Sequence, residues 1–510
     1  MFSTAAPVMG GLESGSDAKP RTKHIAYLDG LRAIAVLSVL LRHAWGLSGS
    51  PALPLFGHNW TPIMTMLSSG VDLFFVLSGF LLARSFLRAR QAGETPTPFR
   101  VYWRARLRRI GPPYWVVLFL VLLLMTGTYI PNERVFSGPG LAIFAAHATF
   151  LQAAYLPSFG AYSVETPFWT LTIEMIFYLM LPVLVRLFFG KRWIVFTPVL
   201  AAVAVGWLFL VRNSAGPLVT LVNEKINVFP AFPEAAVRFF LSHQMPAFLV
   251  DFSAGILAAL VVTSKKYSLR NNRAFQRVTS PTAGVVIFFL GTAVVLAAAW
   301  KLGTFSLVNG YANPLNYMTQ SRPADLAYYY FESIPFGIGY GGMLLGLALA
   351  TGWLQAVFSF RPLAYIGVIG YSVYLLHMPT LYVFNNYSWL RTEGDPGRHF
   401  LLMLVTAVPV IIVLSTLFFR AVERPAMEWS RRAHLAGRSK PEAAAPAAEE
   451  GRATDVETTG RISEQPLVPG LRVRAGAPPA AEAEDASWAV DDAVPGEYER
   501  AERAHESVRS

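Results

Sequence analysis

The 510-residue chain contains no cysteine and few charged residues. Without cysteine it can form no disulfide bond, thiol nucleophile, enzyme-bound thioester or cysteine-ligated metal site. Asp, Glu, Lys and Arg make up 15% of the residues, whereas 54% are apolar. Average soluble domains carry about 25% charged residues, so this composition predicts a protein that crosses a membrane many times.

Negative charge is also scarce relative to positive charge, and the formal net charge is +11 at pH 7. The Lys and Arg residues lie in short clusters beside apolar segments, as they do in the cytoplasmic loops of membrane proteins. A nucleic-acid-binding protein would need a continuous basic face on a soluble domain. We therefore expect the lipid bilayer as a partner and no nucleic acid.

The two ends of the chain differ from its middle. Residues 1–24 are polar and lack the apolar core of a signal peptide, which predicts a cytoplasmic N-terminal segment and a first span that remains as an anchor. Residues 433–510 are rich in Ala, Pro, Glu and Gly and have few large apolar side chains. They predict a disordered cytoplasmic tail.

Between these ends, ten apolar stretches are long enough to cross a bilayer as helices. They lie near residues 26–47, 63–84, 110–130, 168–189, 194–211, 246–263, 282–302, 331–355, 362–385 and 400–420. An eleventh, shorter stretch covers 140–156. Two long loops, 212–245 and 303–330, are rich in aromatic residues, Pro and Asn and are expected to cap a cavity on the outer side.

The placement of charge decides between ten spans and eleven. With ten spans, all basic clusters fall on the cytoplasmic side, whereas counting 140–156 as a span moves two of them outside. The clusters lie at 84–109, 191–192, 265–277, 361 and 431–432. The sequence thus predicts an all-α bundle of about ten transmembrane helices over 25–432 in the inner cell membrane. Both termini are then cytoplasmic, and 140–156 is interfacial or re-entrant.

Arg32 and His43 are the strongest functional signal in the chain. Eleven steps of about 100° bring a helix back to within about 20° of its starting direction, so both side chains share one face of the first span. They are roughly 16 Å apart along the axis, about half the hydrocarbon thickness. A cation and an imidazole on one embedded face are costly unless that face lines a cavity. We interpret His43 as a general base and Arg32 as a phosphate ligand.

A carboxylate interrupts the second span at Asp72, within the segment Gly-Val-Asp-Leu-Phe-Phe-Val-Leu-Ser-Gly-Phe at 70–80. Placing it near mid-membrane costs about 2.5–3.5 kcal/mol. It needs a partner, for which His43 and Arg42 are candidates. For the Ser-Gly pair at 78–79 we favour close helix packing over a catalytic serine, because no Gly-x-Ser-x-Gly elbow surrounds it.

Four arginines occur within six residues at the start of the third span, in Arg104-Ala-Arg-Leu-Arg-Arg. A basic run beside a span is often only a topology anchor, but this one exceeds what anchoring needs. Arg106 and Arg109 share a helix face, which suits contact with phosphates. Pro112 and Pro113 are expected to interrupt the helix and open a gap where a nucleotide can approach.

Three further titratable residues lie in or beside later spans. Glu174 and His377 are expected at the depth of His43 or beyond it, where an acceptor arriving from outside would be held; a buried Glu–His pair is also a common structural feature. Glu423 follows the last span and is interpreted as closing a cytoplasmic helix end. Arginines therefore lie toward the cytoplasm, with histidines and carboxylates deeper. This polarity suits an enzyme that draws an anionic donor from the cytoplasm.

A transporter or flippase of a glycolipid or polyprenyl-linked sugar is the alternative, because charges within a membrane also mark substrate pathways. The sequence shows no repeated or inverted halves that would favour it. The spacing of the arginine and histidine in the first span also has no explanation under that alternative.

These residues resemble five motifs of the membrane acyltransferase-3 family, in the family's order. The matches are the Arg-x10-His element (Arg32 to His43), the Gly-Val-Asp-Leu-Phe-Phe motif (Gly70 to Phe80), the Arg-x-x-Arg element (Arg106 to Arg109), the Trp-Thr-Leu-x-x-Glu motif (Trp169 to Glu174) and the Tyr-Ser-x-Tyr-Leu-x-His motif (Tyr371 to His377). Met175 departs from the pattern, since many members have a second acidic residue there.

The resemblance implies O-acyl transfer from a cytoplasmic acyl-CoA, commonly acetyl-CoA, to a hydroxyl of a carbohydrate, glycolipid or glycosylated metabolite, without a metal. It implies His43 as the essential histidine and the arginines as donor ligands. Some members carry a fused esterase-like C-terminal domain, in place of which this chain has residues 433–510. The predicted site residues are His43, Asp72, Glu174 and His377 for catalysis, and Arg32, Arg106 and Arg109 for donor binding.

Overall fold

The computed structural model describes residues 25–159, 162, 167–213, 234–308, 333–386 and 394–430, with short pieces between 216 and 224. Within these ranges the chain is helical except for turns and one pair of two-residue antiparallel strands, Pro54–Leu55 and His58–Asn59. The N-terminal segment, the predicted tail at 433–510 and much of both long loops lie outside the described residues.

Helices are numbered here in chain order. They are α1 (Ala26–Leu47), α2 (Thr61–Thr65), α3 (Gly70–Gln91), α4 (Phe99–Met125), α5 (Glu133–Phe136), α6 (Gly138–Ala148), α7 (Trp169–Phe188), α8 (Trp193–Asn213), α9 (Glu234–Ser242), α10 (Leu249–Lys266), α11 (Arg273–Val278), α12 (Pro281–Val308), α13 (Ser333–Leu349), α14 (Trp353–Phe358), α15 (Arg361–Val368), α16 (Gly370–Asn385) and α17 (Pro396–Phe418). A π-helical turn, Phe419–Glu423, follows α17 directly.

The helices fall where the apolar stretches predict them, and the prediction of an all-α membrane protein is confirmed. Among the described residues, eight segments are long and apolar enough to cross a membrane. α15 and α16 meet the same criteria only when they are taken together, and they are bent by 74° at the break between them, as in a broken span or a re-entrant loop. The remaining stretch gives α13, whose 17 residues span roughly 26 Å, slightly less than a hydrocarbon core. The count of about ten spans and the sidedness of the termini stay predictions.

The stretch at 140–156 does not form a spanning helix. α6 has 11 residues, which span roughly 16 Å, about half of what a bilayer requires. The chain then leaves the helix at Thr149. The structure thus agrees with the interpretation of this stretch as something other than a span.

The expected break at Pro112 and Pro113 is wrong, because α4 runs through both prolines. Each proline removes one backbone donor, and membrane helices tolerate this where neighbouring helices supply compensating contacts. Beside the prolines, the Tyr371 hydroxyl of α16 donates to the carbonyl oxygen of Ile110 at 3.0 Å. α4 is therefore continuous through both prolines, and the Tyr371 hydrogen bond joins it to α16.

Glycine allows close helix packing in the bundle. α3 and α10 pack along each other, and a Cβ atom built at Gly79 would overlap the Phe252 carbonyl oxygen. A Cβ atom built at Gly255 would likewise overlap the Val76 carbonyl oxygen. The preference for close packing at 78–79 therefore holds for Gly79, and small residues allow this approach of backbones inside a membrane.

Replacing Gly255 by alanine is expected to destabilise the bundle, because α3 and α10 must separate to admit the methyl group. Overpacking of this kind costs about 1–3 kcal/mol. We expect a lower melting temperature of Gly255→Ala in detergent. The matched control is Gly206→Ala on α8, where the added Cβ meets no atom within 4 Å. Equal melting temperatures for the two variants would contradict the packing described here.

Candidate active site

A cavity of about 170 Å³ lies between α1, α3, α4, α7, α16 and the π-helical turn. Its walls combine apolar side chains with a concentration of charged and hydroxyl groups. The polar lining residues are Asp29, Arg32, Ser78, Arg106, Arg109, Thr170, Glu174, Tyr178, Tyr371, Tyr374 and Glu423. Ligand pockets commonly measure about 300–1,000 Å³, so this cavity accommodates one end of a large ligand rather than all of it.

The three predicted donor-binding arginines all line this cavity. Arg106 and Arg109 project from α4 on one helix face, as their spacing predicts, and Arg106 is buried. Arg32 projects from α1, and its Nη1 atom lies 2.8 Å from Oδ1 of buried Asp29. Since guanidinium groups bind phosphates and carboxylates through fixed pairs of N–H donors, the cluster can receive an anionic ligand.

Glu174 lies in the same cavity, on α7. Its Oε1 atom accepts a hydrogen bond from the Ser78 hydroxyl at 3.1 Å and another from the Tyr178 hydroxyl. Sequence reasoning placed Glu174 with His377 near an acceptor, whereas the structure places it with the arginines. Ser78 is likewise a cavity residue rather than a packing residue alone.

Glu423 was missed as a site residue. It is 1% exposed and lines the cavity, where its charge acts on Arg109 and Arg32. Its Oε2 atom accepts a hydrogen bond from the buried hydroxyl of Ser372 at 2.5 Å. The π-helical turn, which rotates side chains relative to a regular α-helix, brings Glu423 to this position; such turns are frequent at functional sites.

The two predicted catalytic histidines contact each other across α1 and α16. Nε2 of His377 lies 3.2 Å from Nδ1 of His43, and the ring centroids are 5.2 Å apart. Nδ1 of His377 lies 2.7 Å from the carbonyl oxygen of Tyr374. The group that orients His43 is therefore the second histidine, a pairing that sequence reasoning did not foresee.

The Tyr374 carbonyl determines the tautomers of this pair. A carbonyl oxygen only accepts, so Nδ1 of His377 carries its proton and Nε2 carries a lone pair. That lone pair accepts the Nδ1 proton of His43, which leaves Nε2 of His43 as the basic nitrogen. When His43 takes up a second proton, the same hydrogen bond persists and keeps the ring in its orientation.

The histidine pair lies one helical turn beyond the cavity, away from Arg32. Tyr374 of α16 lines the cavity and His377 follows three residues later, about 4.5 Å along the axis. The Tyr374 hydroxyl bonds to the Thr170 hydroxyl at 2.5 Å and to the Pro167 carbonyl oxygen. Phe74 packs edge-on against the Tyr374 ring, with centroids 6.2 Å apart. The Tyr374 ring thus lines the arginine cavity and lies, centroid to centroid, 5.7 Å from the ring of His377.

Asp72 does not line the cavity, although Val71 beside it does. It is buried in the first turn of α3, and its charge acts on Asp251 of α10 and on Tyr340 of α13. Arg42, the other partner considered for it, donates from Nε to the Thr65 carbonyl oxygen at 3.2 Å. The contact that orients His43 in the structure comes from His377. A role for Asp72 in orienting His43 stays a prediction.

The family model described as an acyltransferase domain, that of acyltransferase family 3, matches residues 25–420. The chain belongs to the acyltransferase-3 family. The match includes both histidines and all residues that line the arginine cavity except Glu423 and Met427. The resemblance inferred from five short motifs is therefore confirmed.

Three named proteins are similar in sequence to this chain. Peptidoglycan O-acetyltransferase OatA of Listeria monocytogenes is 23% identical over 414 residues, which is 79% of this chain and 56% of that protein. Nodulation protein 10 of Rhizobium leguminosarum is 25% identical over 79% of this chain and 94% of that protein. Putative peptidoglycan O-acetyltransferase YrhL of Bacillus subtilis is 32% identical over 32% of this chain and 24% of that protein.

The chain thus spans little more than half the length of the OatA relative. No solved structure gives a significant match to this chain.

Removing the Glu423 carboxylate is expected to destabilise this family member, because Arg109 loses a buried counter-charge and Arg32 keeps only that of Asp29. Breaking a buried ion cluster costs about 3–5 kcal/mol. We predict a marked fall in melting temperature for Glu423→Ala. The control, Glu428→Ala, removes the partner of Arg424 at a partly exposed pair 3.2 Å apart and is expected to cost at most about 1 kcal/mol. A neutral Glu423→Ala variant would show that Glu423 does not compensate the arginines.

Proposed function

We propose that this protein transfers an acyl group from acyl-CoA to a hydroxyl of a carbohydrate or sugar-bearing acceptor. One observation carries the proposal: a cavity lined by three arginines ends one helical turn from an imidazole pair whose tautomers leave a basic nitrogen on His43. The family membership and the names of the relatives support the same reaction class.

The arginines support an anionic donor. In this proposal the phosphates of CoA lie against Arg32, Arg106 and Arg109, at the cytoplasmic end given by the positive-inside rule. The cavity volume of about 170 Å³ holds only part of the donor, and in this proposal the pantetheine arm carries the acyl group past Tyr374 toward the histidine pair. Acetyl-CoA is the donor that we favour, because two of the relatives are named O-acetyltransferases.

The histidine pair supports general base catalysis. The acceptor hydroxyl loses its proton to Nε2 of His43 as its oxygen attacks the thioester carbonyl carbon. The tetrahedral intermediate then collapses, the C–S bond breaks, and the proton passes from His43 to the sulfur of the departing CoA. The products are an ester of the acceptor and free CoA, so atoms and charge balance without a metal or a redox partner.

The acceptor is proposed from the relatives, two of which are named peptidoglycan O-acetyltransferases. A hydroxylated cell-wall glycan, a glycolipid and a glycosylated metabolite share the chemistry that the mechanism needs, a sugar hydroxyl. The protein is a multi-pass membrane protein, and we place it in the inner cell membrane, with acyl-CoA supplied from the cytoplasm.

Replacing His43 is expected to abolish acyl transfer. His43→Ala removes the base and should lower kcat by about 100- to 10,000-fold, the usual worth of a positioned acid–base group. His377→Ala removes the orienting contact and should also lower kcat while leaving the KM for acetyl-CoA unchanged. The measurement is thiol release from acetyl-CoA by protein purified in detergent, with a panel of sugars and glycosides as acceptors.

The control for these variants is His58→Ala, which alters an exposed histidine on the strand pair and should retain full activity. Melting temperatures establish that each variant is folded. Full turnover by folded His43→Ala would rule out the general base. Movement of a glycolipid across vesicle membranes, with no covalent change to it, would favour the transporter instead.

The arginines are expected to act on donor affinity. Arg106→Gln and Arg109→Gln should each raise the KM for acetyl-CoA by about ten- to a hundredfold, since a hydrogen bond to a charged group contributes about 1.5–3 kcal/mol. Arg104→Gln, an exposed arginine of the same helical run, serves as the matched control and should leave KM unchanged. An unchanged KM in both Arg106→Gln and Arg109→Gln would identify these arginines as topology anchors only.

A further inference from the structure

Asp251 is the most isolated carboxylate among the described residues. It lies in the first turn of α10, a helix expected to cross the membrane, and it is 0% exposed. Neither Oδ1 nor Oδ2 accepts a hydrogen bond from another described residue, and only the backbone of Asp251 itself contributes a donor. An ionised carboxylate buried without compensation costs many kcal/mol, so its negative charge must be neutralised by something the protein side chains around it do not supply.

A second carboxylate faces Asp251 from α3. The glycine contacts bring Val76 of α3 against Gly255 of α10, and Asp72 and Asp251 each precede these residues by four positions, one helical turn. Asp72 is 7% exposed, and its charge acts on Asp251. Two like charges this close in an apolar bundle raise the cost of leaving Asp251 ionised.

Further oxygen atoms close the cluster on the side of α13. The Tyr340 hydroxyl lies 2.9 Å from the hydroxyl of buried Ser69, and both aspartates act on Tyr340 through their charges. Gly337, one turn before Tyr340, lies against Oδ1 of Asp251, and a Cβ atom at Gly337 would overlap that oxygen. Carboxylates and hydroxyls from four segments therefore interact with one another inside the bundle, and oxygens of these kinds are the ligands that hard cations prefer.

None of the four polar residues of this cluster lines the arginine cavity, although Val71 and Phe75, on either side of Asp72, do. α3 and α10 each carry their aspartate in the first turn and basic residues in the last turn. By the positive-inside rule, the basic ends of these helices face the cytoplasm and the aspartates lie toward the outer side. A cation reaching the cluster would therefore come from the outer side, independently of the donor.

We propose that Asp251 and Asp72, with the hydroxyls of Ser69 and Tyr340, form a binding site for one positive charge, either a proton or a small monovalent cation. Its occupation neutralises Asp251 and holds α3, α10 and α13 together. The site is distinct from the histidine pair, and the inference does not rest on the proposed acyl transfer.

The test is the melting temperature of the full-length protein in detergent, which requires no activity. Wild type and Asp251→Asn are compared in NaCl and in choline chloride at equal ionic strength, at neutral and at mildly acidic pH. Asn is an uncharged isostere of a protonated Asp, so the variant should fold. Glu133→Gln is the control, because it removes an exposed carboxylate.

We expect the wild type to gain stability from Na⁺ or from acid, and Asp251→Asn to lose that gain while Glu133→Gln keeps it. A gain from Na⁺ at constant pH identifies a metal cation, whereas a gain from acid alone identifies a proton shared by the aspartates and Tyr340. Asp72→Asn should lose the same gain and serves as a second variant should Asp251→Asn not fold. If wild type and both variants respond identically to Na⁺ and to pH, the site does not exist.

Discussion

Charges buried inside a membrane bundle have to be compensated by nearby groups, and this requirement determines the arrangement of the cavity. Six charged residues line it, three cationic and three anionic, so that the cavity is formally neutral: Asp29, Arg32, Arg106, Arg109, Glu174 and Glu423. Arg32 pairs with Asp29, and Glu423 compensates Arg109 and Arg32 from the opposite side. The arginines are thereby held in place before a ligand arrives, which reduces the ordering cost of binding an anion.

The need to compensate buried charges and polar groups also brings together motifs that are far apart in the sequence. The carboxylate of Glu423 bonds to Ser372, which belongs to the segment that ends in His377. Tyr371 of that segment bonds to the backbone of α4, which carries Arg106 and Arg109. α16 therefore links the arginine cavity to the histidine pair, and its position fixes the path between an acyl donor and the proposed base.

Much of this arrangement could be predicted from the sequence, because helical periodicity and charge within apolar segments are local signals. The apolar stretches coincide with helices, and the shared face of Arg106 and Arg109 follows from their spacing. Each of the predicted residues Arg32, Arg106, Arg109 and Glu174 reaches one cavity, and His43 meets His377. Periodicity does not show which helix faces are neighbours. For that reason Glu174 was expected beside His377, whereas it lines the arginine cavity.

The residues that escaped prediction depend on local departures from a regular helix or on tertiary neighbours. Glu423 reaches the cavity through a π-helical turn, which has no reliable sequence signature. The bend between α15 and α16 divides a stretch that reads as one continuous span. Asp251 sits in an apolar run much as Asp72 does, and only its burial beside α3 and α13 gives it significance. At the prolines of α4 the opposite happens. Their sequence predicts a break in the helix, but α4 continues through both residues.

The most direct test of the central claim is a cryo-electron microscopy structure with a bound acyl-CoA analogue whose thioester is replaced by a non-reactive thioether ketone. The proposed function predicts density for the phosphates beside Arg106 and Arg109, with the acyl end directed past Tyr374 toward His43. Density for the analogue outside the cavity, or with its acyl end directed away from the histidine pair, would contradict the proposal.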